Sequence, residues 1–395
     1  MIGVCRVAEV IGSVAATLTI NAARAGLGFG SGFTSSILDE TFLARDPVFA
    51  CAVCGASHAG RILDCCPCES GGRNKLTAPG KTMSTPTINP KIPSTDPIIV
   101  APTNMPFRAD ESLDLDALGR NIDRFCRTAL SGFVVGSYGG EEFHMGEPEK
   151  IAAISTVADA HAGRRFVIAG IDALSPTEAV RLANLYAEAG ADMVRVRITP
   201  AGGKTGTAPI QDYFEQVTAQ SPLPVIVIHQ PKTAMGVDVT PTELHDITSF
   251  DNVFAYIMSL NYRYECRMSQ FVADGVKFWT CNGTLLMPGG MIGAVGACLL
   301  FGNWGPHIAR DIIQACLDGR YAQARELQER INHLDFLGMS WGVGVQKAGL
   351  NLLGYEGTVP RMPNLPLSDQ RIEEVTDALI EAGILNSDGT PAPQL

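Results

Sequence analysis

From Pro97 onward the chain alternates short β-branched runs with longer stretches whose apolar residues recur at helical spacing, the pattern of repeated βα units around a parallel sheet. Eight strands are predicted: Ile98–Ala101, Gly132–Gly136, Phe166–Gly170, Met193–Ile198, Val225–Ile228, Val253–Ile257, Phe278–Cys281 and Ala294–Leu299. Helical patterns separate them, among them Leu113–Ala129, Pro148–His161, Ser175–Ala189, Ala208–Ala219 and Pro241–Ile247, several opening on a cap residue or an early proline. Further helical stretches follow at Ala322–Leu334, Gly342–Leu353 and Ser368–Ala382, more than an eighth unit needs. Eight units in series, with no Gly-x-Gly-x-x-Gly turn after the first strand, predict an α/β fold of the closed (β/α)₈ (TIM) barrel type with a C-terminal helical extension. The predicted division is an irregular appendage over residues 1–95, the barrel over 96–310 and the extension over 311–395.

Residues 1–95 lack a sustained period of 3.6 or 2, and their end is rich in Gly, Ser, Thr and Pro. Cys51, Cys54, Cys65, Cys66 and Cys68 with His58 form a zinc-like cluster whose spacing fits no standard finger, so no metal is assigned. Arg6 and Arg24 flank an apolar stretch poor in acids, as in a targeting leader, while Met83 begins a run resembling an ordinary cytosolic start. Residues 1–82 are therefore read as a dispensable leader or an extended gene model, with a cytoplasmic location expected, or a mitochondrial one if the leader is real.

Charge narrows the partners. With 30 Lys and Arg against 41 Asp and Glu, the net charge of −11 argues against nucleic acid or an anionic membrane surface, and no apolar run is long enough to span a bilayer. A small molecule is the expected partner. Cys126, Cys266, Cys281, Cys298 and Cys316 are scattered singly in apolar surroundings, suggesting buried thiols rather than a disulfide framework.

In barrels of this kind the reacting groups lie at the C-terminal ends of the strands. There the residues carry a resemblance: Gly136-Ser137-Tyr138-Gly139-Gly140-Glu141, with one extra residue, Ala169-Gly170 with Ser175, Thr199-Pro200, His229-Gln230-Pro231, Gly293-Ala294-Val295-Gly296 leading to Asn303 and Pro306, and Leu365-Pro366-Leu367-Ser368. In this order and at these intervals they resemble the dihydrodipicolinate synthase / N-acetylneuraminate lyase family from about Pro97 to Leu385. The resemblance implies a lyase or class I aldolase, commonly a homo-oligomer (dimer or tetramer), in which a lysine condenses with a 2-oxo acid such as pyruvate and no cofactor is needed. It also implies that Ser137 and Tyr138 hold the substrate carboxylate and that Cys298 lines the same pocket.

Two central groups of that chemistry are replaced. The resemblance places its lysine at Ile257 and its proton-relay tyrosine at Ile228, and no lysine occurs between Lys232 and Lys277. Lys204 and Lys232, in loops after the fourth and fifth strands, are the alternative amines, though a nucleophilic lysine needs burial and these loops carry few apolar neighbours; Lys277 precedes its strand. His229 is a further catalytic candidate, either with Asp172, Glu141 and Glu142 around a divalent ion or with Cys281 as a thiolate pair, against the ordinary reading of a hydrogen-bonded histidine. Two functions remain open: a 2-oxo-acid lyase working by an altered route, or a non-catalytic paralogue that binds a 2-oxo acid or assembles with an active partner.

Overall fold

A computed structural model of the chain describes residues 91–198, 208–230, 239–259 and 262–393. The expectations for the appendage before residue 91, and for Lys204 and Lys232, lie outside the described residues.

Eight parallel strands close into a barrel in chain order: β1 Ile98–Pro102, β2 Gly132–Val135, β3 Phe166–Ile171, β4 Met193–Arg197, β5 Val225–His229, β6 Val253–Met258, β7 Lys277–Thr280 and β8 Gly296–Cys298. Closure is made where Ile98 pairs with Gly296 and Val100 with Cys298. The two faces of each strand bury different things, as a period of two demands. Ile98, Val100, Val134, Phe166, Ile168, Met193, Ile226, Ile228, Ile257, Trp279 and Cys298 fill the lumen. Ile99, Phe133, Val167, Val194, Val196, Val227, Tyr256 and Met258 point outward, against the helices.

Two glycines make room for the bulkiest lumen residues. A Cβ on Gly132 would lie 2.5 Å from the Phe166 ring, and one on Gly296 would lie 2.8 Å from the Trp279 ring, so the lumen admits these rings only beside glycine.

The helices that cover the barrel are α1 Leu115–Phe125, α2 Glu147–His161, α3 Pro176–Glu188, α4 Ala208–Gln220, α5 Pro241–Thr248, α6 Tyr262–Met268, α7 Leu286–Met291 and α8 Pro306–Leu317. Their starts are written in the sequence: the Ser175 hydroxyl accepts from the N–H of Glu178, and Thr240 and Glu243 cap one another reciprocally. Helix α1 stops sooner than its pattern suggests, because Thr128 turns its hydroxyl back onto the Phe125 carbonyl. The predicted boundary at residue 310 falls inside α8, which is the eighth barrel helix, so the extension begins beyond it. It consists of α9 Tyr321–Trp341, α10 Val343–Leu352 and α11 Asp369–Glu381. Helix α10 returns to the C-terminal end of the barrel, where the Gln346 amide donates to the Pro102 carbonyl at 3.3 Å.

Candidate functional site

The loop after β2 lies at the C-terminal mouth and is tightly built. Gly136 has a φ of +78°, and a Cβ on Gly140 would stand 2.7 Å from the Thr103 carbonyl, so the loop presses directly on the end of β1. The N–H groups of Gly140 and Glu142 donate to the Ser137 carbonyl. Ser137 is buried, and neither its hydroxyl nor that of the buried Thr103 has a hydrogen-bond partner. Buried hydroxyls in that state are uncommon and call for a partner. Tyr138 differs: its side chain is 62% exposed and its hydroxyl lies near Gly342, so of the two predicted pocket residues only Ser137 turns its side chain inward.

Strand β4 supplies the main charges. Its alternation puts Arg195 and Arg197 on the inner face above Met193. Arg195 Nη2 donates to Gly136 O at 3.1 Å, Glu142 Oε2 at 3.0 Å and Asp172 Oδ2 at 3.1 Å. Arg197 Nη2 donates to Glu142 Oε1 at 3.0 Å, and its Nε is bonded to Asp172. The quartet is neutral within itself, as groups this buried require. It also divides its protons unevenly. Burial pushes Glu142 up to about 7, aided by the Asp172 charge and opposed by Arg195. Burial acts on Asp172 in the same sense, but the charge of Arg195 and the hydrogen bond from Arg197 outweigh it and hold that carboxyl below its ordinary range. The pair therefore takes its first proton on Glu142. Arg195 Nε is buried without a partner, a donor left over inside the mouth.

Across the lumen, Ile228 pairs in register with Ile257, both at most 2% exposed. Beside them stand Ser259 and, just past β7 and on β8, the inward-facing Cys281 and Cys298.

The other sequence candidates do not converge on this space. His229 follows Ile228 and so faces outward, its Nδ1 2.9 Å from the Tyr256 hydroxyl, which separates it from the inward Cys281. Glu141 turns away from Glu142: its φ of +57° is left-handed, a conformation costing a non-glycine residue about 1–2 kcal/mol. It is held there by Lys347 of α10 at 2.9 Å and by the Arg361 N–H at 2.8 Å. Of the four proposed metal ligands, only Asp172 and Glu142 meet, and they meet through arginines; among the described residues no three His, Cys, Asp or Glu side chains form a metal-sized group.

Among the described residues, Lys347 is the one fully buried lysine near the mouth. Its ammonium has Glu141 Oε2, Met105 O at 2.7 Å and Val359 O at 3.0 Å around it, and lies over the Phe107 ring. Burial lowers it to about 8, but all three of its protons are engaged, which suits a structural charge better than a nucleophile. Sequence reasoning missed Lys347, for which no local signal exists. It also missed the quartet, for which one does: two arginines at alternate positions of the buried run Met-Val-Arg-Val-Arg.

The chain matches the Dihydrodipicolinate synthetase family over residues 96–382. It is 26% identical over 280 residues to the 4-hydroxy-tetrahydrodipicolinate synthase of Caldicellulosiruptor bescii, covering 71% of this chain and 94% of that protein. It is 28% identical to the enzyme of the same name from Mycolicibacterium paratuberculosis, covering 71% and 93%. Among solved structures it resembles a Pseudomonas aeruginosa protein described as a candidate dihydrodipicolinate synthetase, with a TM-score of 0.66, 27% identity and coverage of 72% of this chain and 99% of that one. The N-acetylneuraminate lyase of Fusobacterium nucleatum shares the fold at a TM-score of 0.64 and 20% identity, covering 72% and 98%.

Proposed function

Because the chain belongs to the dihydrodipicolinate synthetase family, we propose that it is a lyase of aldolase type that takes a 2-oxo acid such as pyruvate at the barrel mouth and acts on it without an imine. The observation that carries this reading is Glu142, buried between Arg195 and Arg197 at the strand ends. A carboxyl near pH 7 is matched to moving a proton from the carbon next to a ketone. Arg195, with an N–H to spare, supplies charge where the enolate oxygen would develop, in a site of low dielectric where such a donor acts strongly. The Ser137 hydroxyl and the loop around it suit the substrate carboxylate. The lysine and tyrosine that the family resemblance leads one to expect are, at Ile257 and Ile228, a packed apolar contact.

A second reading, a non-catalytic paralogue that binds a 2-oxo acid or assembles with an active partner, is favoured by one feature. The four charges already satisfy one another, and a base paired on both oxygens is less free to act. In either case we assign a cytoplasmic homo-oligomer, dimer or tetramer, which sedimentation of the full chain checks. Among the described residues no helix is long and apolar enough to cross a membrane.

The test is proton exchange. Incubated with pyruvate in D₂O, the protein is expected to deuterate the methyl group, followed by NMR, and Glu142→Gln to stop it. Binding by calorimetry without exchange selects the paralogue. A borohydride-trapped adduct on a lysine overturns the imine-free route, and absence of pyruvate binding overturns both readings.

A further inference from the structure

The two thiols of the lumen are not used by that reaction, and their placement is specific. Thr280, the last residue of β7, pairs with Ala297 of β8, so the residues that follow, Cys281 just past β7 and Cys298 at the end of β8, come side by side. Both belong to the inward-facing set, Cys298 within the lumen cluster and Cys281 packed against it. Adjacent strands lie about 4.8 Å apart, within the Cα separation of about 4.4–6.8 Å that a disulfide tolerates. In the reduced protein both are free thiols, and each bears on the other's ionisation.

The two are also unequal. Cys281 is held below its ordinary range, first by the hydrogen bond from the Cys298 thiol, then by that from Ser259 and by the charge of Arg195, against burial and the charge of Glu265. Cys298 is pushed up by the same bond, donated from its side, and by burial. Cys281 as a residue is part-buried while Cys298 is buried. One thiol with thiolate character beside one more protected thiol of raised pKa is the division of labour of an attacking and a resolving cysteine. Cys126 and Cys316, by contrast, are buried thiols that burial pushes up.

We propose that Cys281 and Cys298 are an oxidation site, at which a peroxide converts the dithiol to a disulfide bridging β7 and β8 inside the barrel mouth. The Cys281 sulfur attacks one peroxide oxygen; the O–O bond breaks, the departing oxygen leaves as water, and Cys281 becomes a sulfenic acid. The Cys298 sulfur then attacks the Cys281 sulfur and expels the hydroxyl as a second water. Two thiols and one hydrogen peroxide give one disulfide and two waters, with both sulfurs oxidised and the peroxide reduced. The inference stands independently of the reaction proposed above.

The experiment uses the full chain, reduced and freed of reductant. It is treated with an equimolar amount of hydrogen peroxide, quenched with iodoacetamide and mapped by peptide mass. The expected product is a linked pair of peptides containing Cys281 and Cys298, lighter by two hydrogens and formed roughly tenfold or more faster than any oxidation at Cys126 or Cys316. Cys298→Ser is expected to stop at a sulfenic acid on Cys281 that dimedone traps, and Cys281→Ser to give neither product. Alkylation of both residues in the wild-type chain after peroxide overturns the proposal, as does linkage of either one to a different cysteine or dimedone trapping on Cys298 alone. The wild-type mapping decides the matter even if a variant folds poorly.

Discussion

Where β2, β3 and β4 end, the mouth is ionic: Glu142, Asp172, Arg195 and Arg197 interlock around the Gly136 carbonyl. Where β5 and β6 end, it is apolar, with Ile228 and Ile257 packed side by side from neighbouring strands. Both halves are buried, but by opposite means: charges paired on one side, apolar volume filled on the other. The ionic half is stable only while every charge keeps its partner, since a single deletion strands another charge away from water. The isoleucine half depends only on filled volume and tolerates exchange at small cost. Because each strand end enters the mouth separately, a barrel can lose chemical groups on one side and keep them on the other without altering its fold.

The sharpest break in that contrast is Ile257→Lys. A lysine placed in the apolar half would be driven toward its neutral form by burial. It is expected to yield a stoichiometric borohydride-trapped adduct with pyruvate where the wild-type chain gives none, read as a mass increase on the intact protein. No adduct would mean that the mouth does not admit a 2-oxo acid to that strand.

Arg195→Met should have the next largest effect. It leaves Glu142 and Asp172 short of a counter-charge and is expected to lower stability by about 3–5 kcal/mol in urea unfolding. On the other half, Ile228→Val should cost only about 0.5–1.5 kcal/mol by the same measurement. Equal losses at the two positions would erase the distinction.

The smallest effect is in pH. Glu142 holds its proton up to about 7 when folded against an ordinary 4.5, so between those values the folded chain binds more protons than the unfolded one. Its contribution to stability is complete below pH 4.5 and is lost as the pH rises through 7. Glu265, also raised by burial to about 7, acts in the same direction, while Asp172, held low, acts only in acid. The thermal midpoint is therefore expected to fall between pH 5 and 8, less steeply in Glu142→Gln but unchanged in slope in Ile228→Val. An identical slope in Glu142→Gln would assign the dependence to the other carboxyls raised by burial, Glu265 and Asp335.

The fold was legible because its strands are buried on both faces and read as compact β-branched runs such as Val-Ile-Val-Ile. Helices α6 and α7 were not singled out, being seven and six residues long, and α7 contains Pro-Gly-Gly at positions where Gly289 and Gly290 clear Thr280 and Cys316. In the mouth, order along the chain located Ile228, Ile257 and Ser137. What order does not convey is pairing between loops. Glu142 and Asp172 were visible as acids but were weighed as metal ligands, because the arginines that engage them lie over twenty residues away in sequence. For His229, the parity of its position next to the lumenal Ile228 was enough to turn it outward.

Lys347 gives the C-terminal extension a part in shaping the mouth. By holding Glu141 in a left-handed turn from behind, while also binding the backbone of the β1 loop, it fixes the loop that carries Ser137 before any ligand arrives. Ordering a loop and its side chains during binding costs about 0.5–1.5 kcal/mol for each side chain immobilised, and here much of that ordering belongs to folding instead. The geometry of the mouth thus becomes heritable at a distance: sequence drift in α10, a helix outside the barrel, can alter how the loop that carries Ser137 is held while every residue of that loop stays the same.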